Sequence, residues 1–203
     1  MKKTDEQTGV HIEGHIKIYN PETGHVFINK RNAIHYENMS IALAESLGNA
    51  GQGFIYEMAF GNGGTSVDPT GIITYLTPNS TGTNASLYNQ TYSKVVDDRS
   101  VNNVDPTRNK IETRHVSGTN YTDVVISCLL DYGEPDGQDA FDTASDAEQA
   151  FVFDELGLIS YADNTESKKL LTHVIFHPVQ KSLNRLIQID YTVRVQSLSG
   201  GNS

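Results

Sequence analysis

Leu186-Ile187-Gln188-Ile189-Asp190-Tyr191-Thr192-Val193-Arg194-Val195-Gln196 alternates apolar and polar residues almost without a break. A period of two belongs to a β-strand with one face in a core, because successive side chains leave the backbone on opposite sides. It predicts Ile187, Ile189, Tyr191, Val193 and Val195 on the buried face. Upstream, Phe151-Val152-Phe153-Asp154-Glu155-Leu156-Gly157-Leu158 and Leu170-Leu171-Thr172-His173-Val174-Ile175-Phe176-His177-Pro178-Val179-Gln180-Lys181 read as two further strands. Turn-rich connections separate them. This ending belongs to a sheet-building module rather than to a catalytic cleft. The fold class follows: mainly β, an antiparallel β-sandwich-like domain with one short α-helix and long loops.

The start of the chain agrees. Residues 1–9 form a polar arm. Ile12, Ile16 and Ile18 then share one strand face, with His11, Glu13, His15 and Lys17 opposite. Asn20-Pro21-Glu22-Thr23-Gly24 is a turn, since Pro presets φ and Gly accepts a positive φ. His25–Asn29 returns as the partner strand, so 11–29 reads as a hairpin. Asn38 is placed to cap a helix over Met39–Leu47, with Gly48 as its stop and Met39, Leu43 and Leu47 on one side. Phe54–Phe60 follows as a strand with Phe54, Tyr56, Met58 and Phe60 on one face. It runs into Gly61-Asn62-Gly63-Gly64-Thr65, where Gly61, Gly63 and Gly64 are expected to serve the backbone, at least one with a positive φ.

Residues 66–120 read as a loop-rich insertion within a single domain spanning 10–197. Ile72–Leu76 and Leu87–Val96 are its candidate strands. Both this range and the arm 1–9 are expected to order against neighbouring subunits. The apolar residues that would supply that interface are Tyr75, Leu76, Leu87, Tyr88, Tyr92 and Val95. Tyr121–Leu130 reads as a buried strand. Asp131–Gln149 reads as an acidic loop with one helical turn near Gln138–Thr143, and 198–203 as a flexible tail.

Composition narrows the function classes. Lys and Arg number 15 against 25 Asp and Glu, a formal charge of -10. Phosphate contacts need cations, so general nucleic-acid binding is disfavoured. The lone Cys128 sits in Val124-Val125-Ile126-Ser127-Cys128-Leu129-Leu130, an apolar setting that suits an inert buried thiol. No apolar core follows Lys2 and Lys3, and no run approaches a membrane span. The expectation is a soluble protein made in a cytoplasm, without membrane insertion.

Each candidate for chemistry has a plainer reading. His11 and His15, like His173 and His177, have the H-x-x-x-H spacing that binds zinc on a helix. In a strand four residues span about 13 Å, too far for one metal, so exposed or cross-strand-paired histidines are expected. Gly61-Asn62-Gly63-Gly64-Thr65-Ser66 lacks the lysine and the helix of a phosphate loop. Asp131, Glu134, Asp136, Asp139 and Asp142 offer oxygens to a surface calcium but miss the helix-loop-helix spacing. Asp154 and Glu155 are adjacent strand residues, expected on opposite faces and therefore unable to share a site. No nucleophile stands in a triad context. The expectation is therefore no catalytic residues, no metal and no cofactor.

Two stretches carry a resemblance. One is the N-terminal strand pair with its Thr23-Gly24 turn, Asn32-Ala33-Ile34-His35-Tyr36-Glu37-Asn38-Met39, the helix, and Ala59-Phe60-Gly61-Asn62-Gly63-Gly64-Thr65. The other is Phe153-Asp154-Glu155-Leu156-Gly157-Leu158 with the closing strands through Val195. Together they resemble a group of small tailed-bacteriophage virion structural proteins associated with the tail, neck, baseplate or fibre attachment. The resemblance implies a structural subunit, present in symmetric or repeated copies and contacting itself and other phage structural proteins. A tail-fibre-associated receptor- or glycan-binding module is the alternative, and a virion-associated hydrolase a remote third.

Overall fold

A computed structural model gives the architecture and describes residues 9–135 and 150–198. The elements are β1 (Gly9–Tyr19), β2 (Val26–Arg31), β3 (Ala33–Ile34), α1 (Tyr36–Leu47), β4 (Ile55–Gly61), β5 (Thr65–Val67), β6 (Ile73–Tyr75), β7 (Gln90–Val95), β8 (Lys110–His115), β9 (Tyr121–Leu130), β10 (Ala150–Ser160), β11 (Leu170–Ser182) and β12 (Ile187–Leu198). Two five-stranded antiparallel sheets form, ordered β2-β1-β12-β9-β8 and β3-β11-β10-β4-β7, and β5 pairs with β6 as a small hairpin.

The closing strand lies at the centre of the first sheet, between β1 and β9. Ile189 faces Ile18 on one side and Cys128 on the other. Ile187, Ile189, Tyr191 and Val193 are buried as their spacing requires, and Val195 is half-buried. Removing a side chain such as Ile189 from water contributes about 1.5–3 kcal/mol. The second sheet supplies aromatic rings to the same core. Phe153 meets Phe60 edge-on at 5.5 Å and Phe176 at 5.8 Å, and stacks on Phe151 at 5.4 Å. Cys128 is fully buried, and desolvation pushes its thiol up to about 12, so it is inert.

The predicted N-terminal hairpin forms. Asn20 Oδ1 accepts from the Glu22 and Thr23 amides at 2.8 and 3.1 Å, and Gly24 has φ +74. The helix starts earlier than its sequence suggests. His35, whose amide donates to Leu171 O at 3.0 Å, is the true cap, and its Nδ1 accepts from the Asn38 amide at 3.2 Å. Asn38 is buried and its side chain donates instead to Leu170 O at 3.0 Å. The sheet thus sets where the helix begins. Met39 and Ala42 are buried under it, while Leu47 is exposed. Gly48 follows the last turn with φ −74, and Asn49 takes the left-handed conformation.

Residues 66–120 are not an insertion. Within them β7 forms the edge of the second sheet and β8 the edge of the first. Their apolar residues are sparse because each edge strand buries only part of one face. β1 begins at Gly9 and β12 ends at Leu198. The turn expected near Gln138–Thr143, like Asp136, Asp139 and Asp142, lies outside the described residues.

Candidate functional site

The outer face of the second sheet holds the main polar cluster. Along β10 the inward series Phe151, Phe153 resumes at Leu156, Leu158, one residue out of step. The register with β11 shifts between Phe153 and Glu155. An irregularity of this kind re-aims the side chains beside it. It brings Asp154 and Glu155 to the same glycine turn, which corrects the expectation that they cannot share a site.

The two carboxylates are saturated by hydrogen bonds. Asp154 Oδ1 accepts from the Gly64 amide at 2.9 Å, and Oδ2 from the Thr65 amide at 2.9 Å and the Thr65 hydroxyl. Glu155 Oε1 accepts from the Gly63 and Asn89 amides at 3.1 and 2.8 Å, and Oε2 from the Tyr88 amide at 2.9 Å. His173 completes the set, its Nε2 2.9 Å from Glu155 Oε2. Its Nδ1 accepts from the Asn79 amide at 2.8 Å, so the ring proton sits on Nε2 and points at the carboxylate. Side chains of both His173 and Glu155 are wholly buried. Burial pushes Glu155 upward, but His173 and the three amides outweigh it and hold the group below its ordinary value. Burial wins at Asp154, which is held above its ordinary value.

This arrangement braces loops, with the Glu155 and His173 side chains wholly out of contact with solvent. The one hydroxyl that touches it among the described residues, that of Thr65, is spent as a donor to Asp154, and each carboxylate oxygen already accepts at least one hydrogen bond. The glycines serve it by close approach rather than by backbone handedness. None of Gly61, Gly63 and Gly64 has a positive φ. A Cβ on Gly61 would collide with the Asn89 carbonyl and lie 2.5 Å from Glu155 Oε1, and one on Gly63 would lie 2.8 Å from the Asn89 amide. The same brace decides between the two readings of His173: it is buried, not exposed, and pairs across the strands with Glu155 of the neighbouring β10. His177 is exposed, and its Nδ1 lies 3.2 Å from the Tyr75 hydroxyl. His11 and His15 are exposed on β1. Asp131 pairs with Arg108, and Glu134 with Lys94. Among the described residues no three His, Cys, Asp or Glu side chains converge on a metal position.

The brace carries a surface. Above it projects the β5–β6 hairpin, whose turn Asp68 closes by accepting from the Thr70 and Ile72 amides at 2.8 and 3.0 Å. Tyr75 and Leu76 stand on this hairpin, and Tyr88 lies beside them, its hydroxyl donating to Thr77 O at 2.7 Å. With Val67 and Ile72 they are 41–63 % exposed. The other three candidate interface residues sit elsewhere. Leu87 is buried on Ala59, Ile159 and Leu170. Tyr92 packs between Phe60 and Phe151. Val95 is half-buried on β7, opposite Glu57. Sequence reading missed Val67 and Ile72 as a pair. The signal for them is Val67-Asp68-Pro69-Thr70-Gly71-Ile72, a tight turn flanked by β-branched residues.

No protein-family model matches the chain, and no curated protein or solved structure matches it significantly. Among the described residues no helix is long and apolar enough to cross a membrane.

Proposed function

We propose that the chain is a non-enzymatic structural component of a bacteriophage virion, in the tail, neck or collar, or baseplate. It contacts copies of itself and other virion proteins through the exposed apolar residues of the β5–β6 hairpin. The observation that carries this reading is the pairing of those exposed residues with a buried brace. Val67, Ile72, Tyr75, Leu76 and Tyr88 are each exposed on or beside the hairpin, and Asp154 and Glu155 anchor the backbone at its base. A display held in place before binding loses less conformational entropy on association. Exposed apolar patches mark interaction sites, and tyrosine is enriched in interfaces. The virion assignment rests on the sequence resemblance set out above.

The alternative, a tail-fibre-associated receptor- or glycan-binding module, would use Tyr75 and Tyr88 of the same face, because sugars stack on exposed rings. One set of variants separates the readings. Ile72→Asp with Leu76→Asp changes only exposed positions and should leave the fold intact by circular dichroism. Sedimentation of the wild type should show concentration-dependent self-association, and labelled antibody should decorate purified particles. The double variant should stay monomeric. A wild type that remains monomeric, is absent from particles and binds a defined glycan on an array would favour the alternative.

A further inference from the structure

The sandwich is not closed at the end covered by α1. A cleft of about 210 Å³ opens there between the two sheets and the helix. Its walls include Ile12 and Val193 from the first sheet, Ile55 and Leu171 from the second, and Met39 and Leu43 from α1. The floor is the inter-sheet core itself, since Ile12, Met39, Leu171 and Val193 belong to the main buried cluster. Water in this open cleft finds few polar partners on the walls, so an apolar group gains by displacing it.

One charged residue lines the cleft, and it is a cation in a chain of net charge -10. Arg99 lies over the Phe54 ring, its guanidinium carbon 5.4 Å from the centroid. Asp97, itself buried, holds Arg99 Nε at 2.9 Å. Among the described residues the two terminal amino groups of Arg99 make no hydrogen bond. The Arg99 side chain is 73 % exposed, tethered through Nε and with those terminal donors open, an arrangement that can meet a carboxylate arriving at the mouth. Phe54 is positioned in turn by stacking on Tyr161 at 4.9 Å.

We propose that this cleft binds a medium-chain aliphatic carboxylate. Its alkyl chain lies between the sheets under α1, and its carboxylate is held at the mouth by Arg99. The depth and the core residues at the floor favour a slender chain over a broad protein surface. The open terminal donors of Arg99, the one charged lining residue among those described, favour an anionic head over a neutral or cationic one. The proposal is independent of the assembly reading, since the cleft and the β5–β6 hairpin share no residue.

The test uses the intact chain with decanoate, decanol and decyltrimethylammonium, followed by calorimetry and thermal unfolding. Decanoate should bind one to one and raise the melting temperature, because a ligand of the native state stabilises it by mass action. Arg99→Gln should weaken decanoate by about tenfold and leave decanol unchanged. Ser46→Trp, at an exposed position on the rim, should obstruct both and report on the site, the chain having no tryptophan of its own. Three results would overturn the proposal. The first is no saturable binding of decanoate. The second is equal affinity for the ammonium analogue. The third is wild-type self-association that Ser46→Trp abolishes without any decanoate binding, which would make a second copy the occupant.

Discussion

The two sheets share one core and differ on their outer faces. The outer face of the first sheet is solvated and charged. Arg194 pairs with Asp123, and Glu13 with Arg31. The second sheet is covered on its outer side by the segment that runs from the glycine turn to Asn89, and its charges are buried. An alternating strand can face water on one side, whereas a strand buried on both reads as a nearly continuous apolar run. β12 is the first kind, and Leu170–Phe176 of β11 is the second. The lesson is that a charge inside the continuous kind of strand is an internal fastener, whereas the same charge in the alternating kind is solvated.

The largest effect expected from this contrast compares two glutamates. Glu155→Ala leaves His173 and the Gly63, Tyr88 and Asn89 amides without their acceptor. Breaking a buried polar network in this way costs about 3–5 kcal/mol. Glu13→Ala removes one partner of a pair whose arginine is 80 % exposed, and such surface pairs contribute about 0–1 kcal/mol. Urea unfolding of the two variants measures both. Similar losses would abolish the distinction between the faces.

Next in size is Gly61→Ala. The backbone there is ordinary, so a purely conformational account expects little change. The added methyl would instead press on the Asn89 carbonyl and on Glu155. Overpacking of this sort costs about 1–3 kcal/mol. Pairing Gly61→Ala with Glu155→Ala in a double-mutant cycle sharpens the point, because removing the glutamate should relieve part of the cost.

These positions mark the limit of what the sequence discloses. Strand existence and the inward face of β12 are readable because a period of two is a local property. So is the glycine turn, although the reason for its glycines is not. That reason lies in Asp154 and Glu155, some 90 residues away, and in a register shift whose only trace in the sequence is the break in alternation between Phe153 and Leu156. The helix cap failed for a related cause. Asn38 is a good capping residue, but β3 delivers the chain to the helix at His35, and Asn38 is taken by Leu170 O. Among the interface candidates, tyrosine content did not separate Tyr75 and Tyr88, on the surface, from Tyr92, which packs on two core phenylalanines. Only the packing decides which aromatic faces outward.

Acid should expose the same contrast. Glu155 is held below its ordinary value of 4.5 in the folded chain. The unfolded chain therefore takes up the proton first, and the stability this group supplies is present above 4.5 and lost as pH falls through the lower folded value. Asp154, held above its ordinary 3.8, acts in the opposite sense: its contribution is present below 3.8 and lost as pH rises through the folded value. The net profile mixes the two, so the informative quantity is the difference between wild type and Glu155→Gln. That difference should be largest above pH 4.5 and shrink below it, as read from urea midpoints at a series of pH values. A difference constant down to pH 3 would mean that the glutamate is not held as a carboxylate.

A small effect, of the order of that at Glu13, is expected at Arg194, on the solvated face. Its guanidinium meets Asp123 in two bonds, Nε to Oδ1 at 2.7 Å and a terminal nitrogen to Oδ2 at 2.8 Å. The residues are directly opposed in the β9–β12 register, and the guanidinium also stacks over Tyr121 at 3.8 Å. Geometry this good would make a strong pair if buried. Both side chains nevertheless remain partly exposed, at 34 and 20 %, and water screens what they gain. Arg194→Ala should therefore cost about 0.5–1 kcal/mol, and the loss should shrink in 1 M salt. Arg194→Lys, which keeps the charge without the planar fork, should recover only part of it. If Arg194→Ala cost as much as Glu155→Ala and salt made no difference, the first sheet's outer face would have to be covered as well, and the contrast between the sheets would fail.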